Sequence, residues 1–89
     1  MYEIAQRVLT LLTEPPREVT VAVGLPYEEP TGEWSCPYRI DGLHGWEHER
    51  KVSGADSIQA LEIALTTVRG ALEGSPEARE GLLVWDEFT

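Results

Sequence analysis

The sequence is short of cysteine and of long apolar runs. Cys36 is the only cysteine in the 89 residues, so the chain cannot form an internal disulfide, which suits a reducing compartment such as the cytoplasm. No apolar run approaches the ~20 residues that cross a bilayer, and no basic segment followed by an apolar one suggests a signal peptide. We therefore expect a cytoplasmic, soluble protein without a membrane partner.

Basic residues are also scarce. Seven lysines and arginines stand against sixteen aspartates and glutamates, which gives a formal net charge of −9. Such a field repels nucleic-acid phosphates, so we expect no nucleic-acid partner. The acidic residues never run longer than two, which is typical of a folded surface and not of a disordered tail. A chain of this length suffices for a single domain, predicted to span residues 1–89.

Two segments alternate apolar and polar residues as β-strands do. Val19–Val23 places three valines on one face of a strand. In Glu33–Asp41 the residues on one face are Trp34, Cys36, Tyr38 and Ile40. Because a proline cannot donate a hydrogen bond to a neighbouring strand, Pro37 predicts either a free sheet edge or a bulge at that position.

Two further segments are less distinct. Ile4–Thr13 has apolar residues at helical spacing but is also short and rich in β-branched residues, so that both a helix and a strand fit and a strand is favoured. Trp46–Val52 alternates weakly with charged residues on one face, which predicts an exposed strand.

A long amphipathic helix is predicted from Asp56 to Glu73. Asp56 or Ser57 can cap its first turn, Gln59 completes a pattern resembling a capping box, and Gly74 supplies its end. The apolar residues at steps of three and four are Ile58, Leu61, Leu65, Val68 and Leu72. The alanines at 60, 64 and 71 would let the helix approach a sheet closely. Ser75-Pro76-Glu77 then predicts one helical turn, and Leu82–Trp85 a fifth short strand or an apolar flap.

These elements predict an α+β fold: a four- to five-stranded, mostly antiparallel sheet with one long helix packed on one face. A single helix about 10 Å across does not cover such a sheet. The uncovered part should be left to the C-terminal segment, a partner or a second copy of the chain. The candidates for exposed apolar surface are Trp46, Trp85 and Phe88, so a homodimer is one expectation.

Two motifs resemble a known family. One runs Trp34-x-Cys36-x-Tyr38-x-Ile40-x-Gly42, and the other runs from Gly54 through Asp56-Ser57-x-Gln59-Ala60-Leu61 to Ala64-Leu65. Together they are similar to a family of small bacterial proteins known only as an uncharacterised domain, over residues 4–85. The resemblance implies that the first segment, with Arg7, opens as a strand. It implies no catalytic residue, and no role for His44 or His48.

Two constellations could carry chemistry. His44-Gly45-Trp46-Glu47-His48 spells the H-x-x-E-H pattern of some zinc proteases. Its histidines share a metal only on a helix, which the glycines at 42 and 45 oppose, so two exposed histidines are the favoured interpretation. Cys36 could act as a nucleophile with a histidine as its base, but its place between Trp34 and Tyr38 favours a buried structural thiol. We expect no catalytic, metal or cofactor-binding residues.

The hypotheses on function fall into different classes. The first is a non-enzymatic protein-interaction module acting through an apolar sheet face or a charged rim. One version is an immunity- or inhibitor-type protein that neutralises a basic partner. Another is a nucleic-acid mimic built on an acidic cluster of Glu28, Glu29, Glu33, Glu47 and Glu49. The least favoured is a small metal-dependent hydrolase using His44, Glu47 and His48.

Overall fold

The chain folds into one antiparallel sheet with a long helix on one face. A computed structural model describes residues 1–85. Its elements, in chain order, are β1 (Glu3–Leu11), β2 (Arg17–Gly24), β3 (Tyr27–Glu28), β4 (Trp34–Asp41), β5 (Arg50–Gly54), α1 (Ser57–Glu73), α2 (Pro76–Arg79) and β6 (Leu83–Val84). Neither helix of this part of the chain is both long and apolar enough to span a membrane.

The six strands form one sheet in the order β3-β4-β2-β1-β6, with β5 paired to β4 as well. β1 pairs with β2, β2 with β4 and β4 with β5, while β3 pairs with β4 beside β2 and β6 pairs with β1 at the far end. Every one of these pairings is antiparallel. The predicted α+β fold is confirmed, with six strands because a bend at Leu25 and Pro26 separates β3 from β2. β1 confirms the strand interpretation of Ile4–Thr13.

Pro37 lies at a position where no strand pairs with β4 on one of its two sides. β4 pairs with β3 at Trp34 and Ser35 and with β2 from Tyr38 to Asp41, so the ladder on this side is interrupted at Cys36 and Pro37. Because proline has no N–H to donate, an interruption here sacrifices no hydrogen bond of Pro37. The expected irregularity at Pro37 is thereby confirmed.

The strand prediction for Trp46–Val52 is wrong over its first four residues. β5 begins at Arg50, and turns occupy residues 42–49. Gly42 and Gly45 adopt φ values of 109° and 91°, a left-handed region that reverses the chain and that glycine enters without strain. The alternation of charged residues before Arg50 therefore belongs to a loop, and only the expected exposed edge strand after it is confirmed.

Asp56 caps the first turn of α1 as predicted. Its Oδ1 accepts a hydrogen bond from the backbone N–H of Gln59 at 2.8 Å, and Oε1 of Gln59 accepts one from the N–H of Ala55 at 2.6 Å. These two bonds satisfy backbone donors near the helix start, where no earlier turn provides acceptors. Ser75 does the same for α2 by accepting from the N–H of Ala78 at 3.1 Å.

The buried face of α1 is rotated from the predicted one. The buried residues are Ala60, Ala64, Val68 and Leu72, four positions apart. Ile58 and Leu65 were expected in the core but are 68% and 50% exposed. The reason lies at Gly54, where an added Cβ would stand 2.5 Å from the backbone nitrogen of Ala60. This close approach turns the alanine edge of the helix toward the sheet.

The helix lies mainly over β4 and β5. Beneath it, Val52 of β5 is partly buried and Cys36, Tyr38 and Ile40 of β4 are buried. At the other end of the core, Leu9, Leu11 and Val19 pack in the same cluster as Leu72 and Leu83. The result is that α1 closely covers the sheet face over β4 and β5, whereas the face at the beginning of β1 is less covered: Ala5 and Arg7 are exposed, although their neighbours Val21 and Val23 on β2 are buried.

The Gly54 contact predicts opposite effects of one substitution at two glycines. Gly54→Ala should lower the free energy of unfolding by about 1–3 kcal/mol, because its Cβ collides with backbone atoms of α1. Gly70→Ala should raise it by about 0.5–1 kcal/mol, since an added Cβ there meets open space within the helix. Urea unfolding of both variants beside the unsubstituted chain tests this. Equal effects at the two positions would contradict it.

Candidate functional site

An open groove of about 470 Å³ lies between α1 and the part of the sheet that α1 does not closely cover. Its floor is built from β1 and β2: Ala5 pairs with Val23, and Arg7 pairs with Val21, so that all four side chains lie on the helix-bearing face. The floor is therefore apolar except for Arg7.

One wall of the groove is the side of α1 that faces β1 and β2. Leu65, Val68 and Leu72 line this wall, and of the three only Leu65 is exposed; Arg69 lies among them. Leu65 is exposed because it points into this open space. The half-buried Trp85, which follows β6 directly, lines the groove as well. Four segments separated in sequence, from β1, β2, α1 and the residue after β6, thus build the site.

Within the described part of the chain, the charged side chains that line the groove are two guanidinium groups. Arg69 forms an ion pair with Glu73, whose Oε1 lies 3.0 Å from the Nε of Arg69. Both side chains are largely exposed. The guanidinium of Arg7 lies 5.8 Å from the ring centroid of Trp85, a cation–π contact, and it makes no ion pair within residues 1–85. Among residues 1–85, the charged groups of this lining are thus basic, in a chain whose net charge is −9.

The H-x-x-E-H segment lies in the turns before β5 and not on a helix. His44 and His48 are exposed, and the Oε1 of Glu47 accepts a hydrogen bond from the N–H of Gly45 at 3.1 Å. That hydrogen bond holds the pKa of the Glu47 carboxyl below its ordinary value. Over the part of the chain that the structure describes, no three His, Cys, Asp or Glu side chains are grouped so as to hold a metal ion.

Trp46 has contacts within its own chain. Its ring lies 6.3 Å from that of Tyr38, measured between centroids, and the guanidinium of Arg50 lies 4.0 Å above it. Arg50 also donates to the carbonyl of Gly45 at 2.9 Å. This stack holds the loop against the sheet and leaves Trp46 half-buried. Of the other two candidates for exposed apolar surface, Trp85 lines the groove and Phe88 lies outside the described residues.

Cys36 is buried at the interruption in the β4 ladder. Its side chain is fully inaccessible, and its Sγ donates to the carbonyl of Gly24 at 3.4 Å. Burial raises the pKa of the thiol, which disfavours the nucleophilic thiolate. Neither histidine hydrogen-bonds to it among the described contacts. The geometry therefore supports the structural interpretation of this cysteine.

Of the five glutamates considered as an acidic cluster, Glu29, Glu47 and Glu49 each contact a different partner. Glu29 lies 3.5 Å from the Nζ of Lys51 and raises the pKa of that ammonium group. Glu49 lies 3.6 Å from the amino group of Met1, and Glu47 accepts from Gly45. The ammonium group of Lys51, the amino group of Met1 and the N–H of Gly45 thus offset part of the negative charge that a mimic of nucleic acid would need.

The sequence alone did not identify the residues of the groove as a binding site. One signal was present, since Arg7 stands between Ala5 and Leu9 on the face of β1 that points to the core. A charged residue among the core-facing residues of a strand indicates that this part of the sheet face is not covered. The matching signal on α1 is Leu65, an apolar residue one turn from an exposed arginine. Neither signal says that the two segments face each other.

Comparison with known proteins adds a family and no activity. The model of the family described as "Domain of unknown function (DUF6968)" matches residues 5–89. No curated protein and no solved structure matches the chain.

Burial of Cys36 predicts that its thiol is unreactive in the folded protein. An aromatic disulfide reagent at neutral pH should label it only as fast as the chain unfolds, because the thiol is inaccessible and its pKa is raised. The same protein in concentrated urea should be labelled at once. Rapid stoichiometric labelling without denaturant would contradict this and revive the nucleophile hypothesis.

Proposed function

The chain belongs to the DUF6968 family, and we propose that it is a non-enzymatic protein-interaction module whose groove binds an apolar, carboxylate-bearing segment of a partner protein. The observation that carries this proposal is the groove itself: an open groove lined by apolar side chains, of which Ala5, Leu65 and Trp85 are accessible, with two guanidinium groups and, among residues 1–85, no acidic side chain in its lining.

The apolar lining supports binding of a partner's side chains. Leu65 is 50% exposed, so covering the rest of its side chain would contribute about 1 kcal/mol. Trp85 adds an aromatic surface of the kind enriched at interaction hot spots. At about 470 Å³ the groove also falls within the range of roughly 300–1,000 Å³ that binding pockets occupy.

The charges support a partner segment with carboxylates. A guanidinium group binds a carboxylate through two parallel hydrogen bonds, which gives direction as well as energy. Arg7 is the better placed of the two, because Arg69 already has Glu73 beside it. An apolar segment without an acid would leave the guanidinium of Arg7 covered and unpaired, which costs free energy.

Other hypotheses stay predictions. A basic partner, nucleic-acid mimicry and the His44–Glu47–His48 hydrolase depend on features outside the groove, and self-association through the apolar surface expected from the sequence would use Trp85 of the groove together with Trp46. The cytoplasmic location, the bacterial origin and the two motifs of the resemblance are likewise expectations from the sequence. We place the groove first because its shape and its charges point to the same class of partner.

Selection from a phage-display library of random peptides tests the proposal. Peptides enriched on the full chain should combine apolar residues with Asp or Glu. Their affinity for the Arg7→Gln variant should fall about tenfold or more, since the charge-assisted hydrogen bonds are lost. Leu65→Glu should weaken binding similarly by placing a carboxylate in the apolar wall. Fluorescence anisotropy of labelled peptides gives the dissociation constants.

Two matched variants control for charge and folding. Arg39→Gln makes the same charge change on the opposite face of the sheet, where Arg39 pairs with Ala22. Ile58→Glu makes a comparable change to that at Leu65, at an exposed helix position outside the groove. Both should bind like the unsubstituted chain. If no peptide is enriched, or if Arg7→Gln and Arg39→Gln bind equally well, the proposed function is wrong.

A further inference from the structure

We propose that the chain forms a dimer through the outer edge of β5, which pairs antiparallel with β5 of a second copy across a two-fold axis at Val52. The surface lies apart from the groove, so this proposal goes beyond the proposed function. It also differs from the surface with Trp46 and Trp85 on which the sequence-based expectation of a homodimer depended. The product is one continuous sheet that carries the α1 helices of both copies on the same face.

β5 lies at the margin of the sheet. Tyr38 of β4 pairs with Val23 of β2 and with Arg50 of β5, so β2 and β5 lie on opposite sides of β4. Within residues 1–85, no strand pairs with β5 on the side away from β4. Such an edge presents unpaired backbone N–H and C=O groups to an incoming strand.

This edge is out of reach of the chain that follows β6. Across the sheet, β6, β1, β2, β4 and β5 are successive neighbours. A strand added outside β5 therefore lies five strand spacings, about 24 Å, from β6. The chain from Val84 to Thr89 extends at most about 18 Å, which is too short to cover this edge.

Pro37 fixes the direction of the backbone groups of β5. It pairs with Lys51 but has no N–H, so these two residues cannot exchange two hydrogen bonds. The hydrogen-bonded pairs with β4 are therefore those of Val52 and Arg50, and the backbone groups of Lys51 and Ser53 point away from β4. Among residues 1–85, neither of these outward N–H groups has a backbone acceptor.

The two basic side chains of β5 do not block the edge. The Nζ of Lys51 lies 3.5 Å from a carboxylate oxygen of Glu29 and 6.0 Å from the ring centroid of Tyr27, on the far side of β4. The guanidinium of Arg50 lies 4.0 Å from the ring centroid of Trp46. An edge lysine ordinarily opposes strand pairing by placing its charge there. In this chain both charges are held by contacts within the same copy.

The sequence of β5 matches itself in one register. With Val52 opposite Val52 of the second copy, Lys51 faces Ser53 and Arg50 faces Gly54, so that no like charges are directly opposed. The outward groups of Lys51 and Ser53 then exchange hydrogen bonds with those of Ser53 and Lys51 in the second copy. An axis at Lys51 would oppose two lysines, and an axis at Ser53 would leave hydrogen bonds only between the two Ser53 residues.

The position of α1 suits the same register. The helix lies over β4 and β5, so its axis is about 5 Å from a two-fold axis half a strand spacing outside β5. The two helix axes are then about 10 Å apart, which is a packing distance for helices. Ile63 is 37% exposed on the side of α1 opposite Leu65 and the groove. It therefore faces the helix of the second copy and is covered there.

The small size of this interface predicts a weak dimer. The edge of β5 is about 17 Å long, which places the interface at the low end of the size range, below about 1,200 Å² in total. Each copy also carries a net charge of −9, which opposes close approach. Sedimentation equilibrium of the full chain at concentrations up to about 1 mM should therefore show a monomer–dimer equilibrium.

Opposite charges at Ser53 test the register. Ser53→Glu should tighten the dimer about fivefold, because the new carboxylate stands opposite Lys51 of the second copy, and Ser53→Lys should weaken it about fivefold. Net charge alone predicts the reverse order, since Ser53→Glu makes each copy more negative. Circular dichroism checks that both variants keep the fold. If Ser53→Lys forms the tighter dimer of the two, the proposed register is wrong.

Two helix variants and amide hydrogen exchange test the rest of the interface. Ile63→Glu should weaken the dimer about tenfold or more by opposing two carboxylates, whereas Ile58→Glu, the matched control, should leave it unchanged. In concentrated protein, the amides of Lys51 and Ser53 should exchange about tenfold more slowly than in dilute protein. Those of Arg50 and Val52, which face β4 in the monomer as well, should change much less.

The outcomes separate this edge from other surfaces. A chain that stays monomeric up to about 1 mM would overturn the proposal. A dimer that the Ser53 and Ile63 variants leave unchanged would also overturn it, in favour of the surface with Trp46 and Trp85. Arg7→Gln, which removes a charge from the groove, should leave the dimer unchanged, so the groove and the β5 edge can each fail without the other.

Discussion

The close approach of α1 to the sheet at Gly54 determines the arrangement of the other elements. Only Ala55 and Asp56 separate the end of β5 from the first residue of the helix, so the helix must start directly beside the strand it leaves. A glycine in the strand and alanines at 60 and 64 let the two backbones come together there. The helix is thereby fixed over β4 and β5, and its position is set by van der Waals exclusion and not by any polar contact.

The groove is a consequence of that position. A helix centred on the sheet would have covered β1 and β2 as well, and Leu65 would then have been a core residue. With the helix displaced, its remaining apolar side faces β1 and β2 across the groove, and Ala5 and Arg7 of β1 stay exposed. α2 and β6 then return the chain to β1 and bring Trp85 to the groove. The chain thus closes its core at one end and leaves an accessible apolar surface beside it.

Much of the fold could be predicted because its signals are local. Period-two alternation identified β2 and β4, and Asp56 with Gln59 marked the start of α1. Trp46 was misassigned because charged residues alternate in loops as well as in exposed strands, and only the turn at Gly45 separates the two cases. The buried helix face was misjudged because two apolar rows share Val68 and Leu72. The distance to the sheet decides between these rows, and that distance depends on Gly54.

The groove could not have been predicted by the same means, because the charged residues in its described lining are basic whereas the chain as a whole is acidic. A net charge of −9 describes the molecule at long range, where it determines which partners approach readily. At physiological ionic strength, charges more than about 8 Å apart are largely screened, so a bound segment responds mainly to the groups that touch it. In the groove, as far as residues 1–85 define it, the charged groups are Arg7 and Arg69. A partner that is basic overall can therefore approach on the total charge and still present an acidic, apolar segment to the groove, so the two requirements do not conflict.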